Sequence, residues 1–118
     1  MADVVAFVDD LMFVSRIREA AKGAGVEVST ARQVAQVLAA CDEGARLVIM
    51  DLDSPRLDSA GALLALQARA VPVPVVGFFS HVDVEKARRA QAAGCQTVLP
   101  RSVFVQKLPS LLAPAAAP

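Results

Sequence analysis

Asp9 and Asp10 close the apolar run Val4-Val5-Ala6-Phe7-Val8, and Asp51 closes Leu47-Val48-Ile49-Met50. In a parallel α/β sheet the carboxyl ends of neighbouring strands open into one crevice, where ligands usually bind. Three carboxylates converging there repel one another unless a proton or a cation intervenes, so the pattern predicts a hard-metal site. The competing reading is that such strand-end carboxylates only cap helices or face solvent. Their joint placement on two strand ends favours a shared acidic pocket.

The elements that must position these residues follow from the hydrophobic pattern. Short β-branched runs alternate with alanine-rich amphipathic stretches, the mark of βαβ units and a parallel sheet. Strands are expected at residues 4–8, 26–29, 47–51, 73–79 and 97–99. The first is too continuously apolar to be half exposed, and the second is polar enough to lie at the sheet edge. Helices are expected at residues 11–24, 31–40, 59–69, 83–93 and 102–112. Val14, Ile17, Ala21 and Ala24 give the first its core face, and Gly23 and Gly25 its stop. Val34, Val37 and Leu38 face the core from the second, and Leu63, Leu64 and Leu66 from the third. Thr30 and Ser102 are the expected caps of the second and fifth, and Pro109 interrupts the last. Right-handed crossovers with both faces covered give an α/β, flavodoxin-like, doubly wound (βα)5 sheet in one domain spanning residues 1–112. Residues 113–118, Ala-Pro-Ala-Ala-Ala-Pro, read as a disordered tail or linker.

Composition excludes several function classes. Twelve basic and twelve acidic side chains cancel, and Tyr and Trp are absent, leaving five Phe. Neither a global field nor a set of stacking aromatics favours nucleic acid, and no basic excess favours anionic lipid. Cys41 and Cys95 are too few for a disulfide framework, and one His argues against zinc. The first apolar run stops at Asp9, too early for a signal peptide or a membrane span. A soluble, cytoplasmic protein is the expectation.

Three segments make the chain resemble a response-regulator receiver domain from Val4 to Leu112. Phe7-Val8-Asp9-Asp10 resembles that family's acidic pair after the first strand. Leu47-Val48-Ile49-Met50-Asp51-Leu52-Asp53-Ser54-Pro55 resembles its third strand, with the phospho-accepting aspartate and a proline four residues on. Ala92-Ala93-Gly94-Cys95 resembles the segment before its fifth strand. The resemblance implies Mg²⁺ as cofactor, held by Asp9, Asp10, Asp51 and the backbone carbonyl of Asp53. It implies Asp51 as the nucleophile toward a phosphoryl donor, which is metal-assisted phosphoryl transfer to a carboxylate.

Two positions depart from the family pattern. Counting back from Gly94 without gaps places Phe79 where the family carries Thr or Ser, with Ser80 one residue late. Arg101 stands at the family's lysine, followed by Ser102, with Pro100 displaced to the residue before. Arginine keeps the charge but differs in size and shape, and a permanent pair with Asp51 or Asp9 is expected to occupy the pocket. Leu11, Met12 and Phe13, with Phe78, Phe79 and Val82 on the neighbouring loop, are expected to form an apolar rim for a partner. His81 in the same loop reads as exposed, and the run Glu85-Lys86-Ala87-Arg88-Arg89 as a solvated helix face.

The resulting expectation is an atypical receiver-like signalling module. It would act through a protein partner, kinase or effector, without a normal phosphorylation cycle. The alternative is a functional two-component receiver phosphorylated on Asp51 with Mg²⁺. In neither case is the chain an enzyme beyond self-phosphorylation from a phosphodonor. The fourth and last helices are candidate surfaces for a homodimer.

Overall fold

The computed structural model describes residues 2–80 and 83–116. Five strands, β1 (Val4–Phe7), β2 (Val28–Ala31), β3 (Leu47–Asp51), β4 (Val75–Phe79) and β5 (Thr97–Pro100), form one parallel sheet in the order β2-β1-β3-β4-β5. The helices α1 (Leu11–Ala24), α2 (Val34–Asp42), α3 (Ser59–Gln67), α4 (Val84–Ala92) and α5 (Arg101–Leu112) alternate with them. This is the doubly wound arrangement expected, with the polar strand at the edge.

The pleat divides the sheet's side chains between two cores. Val4, Ala6, Ile49, Val76 and Phe78 face α1 and α5, meeting Ile17, Phe104, Leu108 and Leu112. Val5, Phe7, Val48, Met50, Val75 and Phe79 face α2, α3 and α4, meeting Val37, Leu63, Leu66 and Ala90. Strands β1, β3 and β4 are buried along their whole length, which is why they read as unbroken apolar runs. Phe13, Phe78 and Phe104 pack ring on ring, with centroids 4.5–5.7 Å apart. Burying each such ring stabilises the fold by about 1.5–3 kcal/mol.

Several boundaries differ from the sequence expectation for identifiable reasons. Gly25, at φ 72°, ends α1, and Val26 donates its N–H back to the Ala21 carbonyl. That helix stop consumes Val26, so β2 begins at Val28 and runs two residues later than expected. Thr30 then lies inside the strand, opposite Ala6, and cannot cap α2. Gln36 Oε1 instead accepts from the backbone N–H groups of Arg32 and Gln33 and fixes the later start at Val34. Pro74 has no N–H for the ladder, and β4 starts after it at Val75. Leu64 of α3 is exposed, since the inward face of that helix is Ala62, Leu63 and Leu66.

Ser102 does not cap α5. The helix starts one residue earlier at Arg101, with Pro100 in the cap position and no side-chain cap bond. Pro109 is accommodated, and Leu112 beyond it is fully buried. The expected disordered tail is corrected in its first four residues. Ala113–Ala115 forms a 3₁₀ turn whose Ala115 is buried, and Arg46 donates to the Ala116 carbonyl at 3.1 Å. Small side chains let this turn seal the α1/α5 core at its end. Ala117 and Pro118 lie outside the described residues. Cys41 and Cys95 are buried free thiols, and among the described residues no helix is long and apolar enough to cross a membrane.

Candidate functional site

Asp51 ends β3 on the α1/α5 face, opposite Phe78 of β4, and its side chain is only 6% exposed. Its Oδ1 accepts from the Asp53 N–H at 2.9 Å. Burial pushes the Asp51 carboxyl above the ordinary carboxylate range. The Asp53 amide and Arg101 oppose that rise, while the charges of Asp53 and Asp9 add to it. Asp9 is nearly buried, and its Oδ1 accepts from the Ser54 hydroxyl at 3.0 Å. Arg56 Nε lies 3.2 Å from Asp9 Oδ2 but is not aligned as a hydrogen-bond donor. Asp10 caps α1, accepting from Met12 and Phe13 N–H at 3.0 and 3.1 Å. Asp53 is held by Lys86 of α4, with Nζ 2.6 Å from Oδ1, and by the Ser80 N–H on Oδ2. Burial raises its carboxyl, but these donors together outweigh that and hold it below the usual range.

The expected carboxylates therefore do share one cleft, of about 280 Å³, lined by Asp9, Asp10, Asp51 and Asp53 together with Arg56 and Arg101. Arg101 reaches Asp51 Oδ2 at 3.8 Å and Asp10 Oδ2 at 4.0 Å, rather than Asp9. Its guanidinium lies over the rings of Phe13 and Phe78, 4.7 and 5.5 Å from their centroids. Arg101 thus stands near Asp51 and Asp10, and among the described residues it makes no pair with Asp9.

As arranged, these side chains do not fit a divalent cation. Among the described residues no group of three His, Cys, Asp or Glu side chains stands close enough to hold one. Each carboxylate faces a donor or a cation of the chain itself. Asp10 both caps α1 and lines the cleft.

The pleat settles the geometry of the fourth strand's end. Phe79 turns to the opposite face, buried among Met50, Leu63 and Ala90. Ser80 is exposed; its N–H reaches Asp53 Oδ2, and it lines a second cleft on the other side of Arg101. The apolar rim is corrected in the same way, because Phe13, Phe78 and Phe79 are buried. Leu11 and Met12 remain exposed, at 71% and 86%. Val82 and His81 lie outside the described residues.

Sequence reasoning missed Lys86, Ser54 and Arg56. Lys86 sits in the first turn of α4, directly after the loop leaving β4, which places it beside the strand ends. Its setting in a mixed-charge helix run masked that position. Glu85, Arg88 and Arg89 do form the expected solvated surface pairs.

The chain superposes on response regulators of known structure over nearly its full length. A response regulator from Hahella chejuensis matches with a TM-score of 0.83 at 18% identity, over 98% of this chain and 95% of that one. The chemotaxis response regulator CheY4 of Vibrio cholerae matches with a TM-score of 0.79 at 21% identity, over 98% of both chains. The beryllofluoride-activated NtrC4 receiver domain dimer matches with a TM-score of 0.74 at 15% identity, over 96% of this chain and 97% of that one. No family model and no curated protein matches the chain. At this level of identity the likeness concerns architecture, and the chain has the fold of a response-regulator receiver domain.

Proposed function

We propose that this chain is a signalling module of the two-component type that acts through protein contacts, with its acceptor-position carboxylate held by an internal cation. The receiver fold supports the signalling class. The observation that carries the finer reading is Arg101, which stands against Asp51 and Asp10 while stacked on Phe13 and Phe78. A guanidinium so placed supplies the positive charge that the carboxylates would otherwise draw from a metal. Lys86 does the same for Asp53. Leu11 and Met12, exposed at the start of α1, suit a contact with a kinase or effector.

The test is exposure of the wild-type protein to acetyl phosphate and Mg²⁺, read by intact mass and hydroxylamine sensitivity. The expected result is no accumulation of an acyl phosphate on Asp51, with partner capture from extract unchanged in Asp51→Asn. An adduct at Asp51 that Asp51→Asn abolishes would overturn this reading in favour of a working Mg²⁺-dependent receiver. Homodimerisation, as in the NtrC4 receiver domain dimer, is read by light scattering on the same samples.

A further inference from the structure

A second and larger cleft, of about 720 Å³, lies beside the acidic one between the start of α1, the end of β4 and the first turns of α5. That volume is within the range of small-molecule sites, roughly 300–1,000 Å³. Its character is opposite to that of its neighbour. Arg16 and Arg101 supply two guanidinium groups, and Ser80 and Ser102 supply hydroxyls. Met12, Phe13 and Val105 make its apolar wall. Met12 and Arg16 are one helical turn apart and share a face of α1, as Ser102 and Val105 do on α5.

The charges of this cleft are not balanced from within. Asp10 is its one carboxylate, and its Oδ1 is occupied by the α1 cap. Arg16 makes no ion pair among the described residues. Arg101 makes only the two long pairs, and its Nε is a buried atom without a hydrogen-bond partner. The aromatic stack fixes the plane of that guanidinium, so its free edge is preorganised as a donor.

We infer that this cleft binds a small organic acid with an apolar body, its acid group bridging Arg16 and Arg101 and its body lying on Met12, Phe13 and Val105. Two guanidiniums lining one cleft beside an apolar wall select that chemistry over an uncharged hydrophobe or a simple inorganic anion. Because Arg101 also lines the acidic cleft, the acid competes with Asp51 for the same guanidinium. The inference does not depend on whether Asp51 accepts a phosphoryl group.

The probe is anilinonaphthalene sulfonate, followed by its fluorescence and by amide NMR on the whole chain, with neutral N-phenylnaphthylamine and inorganic phosphate as comparators. One saturable site is expected, with shifts centred on Met12, Ser80, Ser102 and Val105. Losing one charge-assisted contact should weaken sulfonate binding about tenfold in Arg16→Gln. Lys107→Gln, which removes an equal charge from an exposed position on α5, should leave binding unchanged. Arg16 is exposed, so its variant keeps the fold, and amide dispersion verifies this. Equal affinity for the neutral probe, equal loss in the two variants, or shifts centred elsewhere would each overturn the inference.

Discussion

Replacing Arg101 by Met removes the guanidinium and keeps most of the aliphatic stem. At 3.8 Å and an effective dielectric of about 20, the attraction to Asp51 is roughly 4 kcal/mol before discounts. The Arg101 side chain is 35% exposed and the separation is at the edge of contact, so solvent screening and desolvation leave about 1–2 kcal/mol. Asp10, at 4.0 Å and 44% exposed, adds little. The cation–π contacts with Phe13 and Phe78 contribute about 1 kcal/mol more. Arg101→Met should therefore cost about 2–3 kcal/mol at pH 7.

The pH dependence separates the two parts. Asp51's carboxyl is raised in the folded state, chiefly by burial. A raised acid favours the fold fully below the unfolded carboxylate value, about 3.9, and that advantage is lost as pH rises through the folded value. Above it the buried charge costs stability, and Arg101 offsets part of that cost. Near pH 3 Asp51 is neutral in both states, so only the aromatic contacts remain and the loss should shrink to about 1 kcal/mol. Urea unfolding of both proteins at the two pH values measures this directly. With a slope of about 1.5 kcal/mol per molar, the midpoint shift should fall from roughly 1.5 M to below about 1 M. Equal losses at both pH values would refute an ion pair between Arg101 and Asp51 as the source of the effect.

The same linkage predicts that Asp51→Asn unfolds at higher urea than wild type at pH 7, since the amide keeps the acceptor for the Asp53 N–H without the buried charge. That advantage should vanish near pH 3, and its persistence there would point to packing instead. Asp53 has the opposite sign: its carboxyl is held low, so its contribution is present above about 3.9 and lost as pH falls through the folded value. Lys86→Gln should raise the Asp53 midpoint in a carboxyl NMR titration and cost less than about 1 kcal/mol, the pair being partly exposed. Gly77→Ala places a methyl 2.7 Å from Leu52 Cδ1 and 2.9 Å from Cys95 Sγ, and should lower stability by about 1–3 kcal/mol in a thermal melt.

The sheet was legible because parallel strands covered on both faces leave the strongest signature a short segment can carry. β1, β3 and β4 are such strands, and β3 and α1 fall at the bounds expected from the pattern. Errors fell where a backbone donor was claimed by something other than the expected ladder or cap. Val26 spends its N–H on the α1 stop, and Gln36, not Thr30, sets the start of α2. The burial of Ala115 was illegible for another reason. An alanine carries almost no hydrophobic signal of its own, and only the shape of the α1/α5 core gives it a place.

At the site, strand alternation outweighs residue counting. A gapless count from Gly94 selects Phe79, yet Asp51 stands opposite Phe78, and residues in register on parallel strands share a face. Phe79 must then face α2, α3 and α4, leaving the next residue, Ser80, to reach Asp53 with its N–H and to line the neighbouring cleft. The cations follow a similar logic. Asp9 meets Arg56 from the loop after β3, Asp53 meets Lys86 from α4, and Asp51 and Asp10 meet Arg101 from α5. Each positive charge comes from a segment that begins where a strand ends, so all three arrive at the same rim. Three cations thus stand against four carboxylates, with Arg101 serving two of them. The acidic cleft is thereby laced with ion pairs, and Arg101 is shared between it and the basic cleft next door.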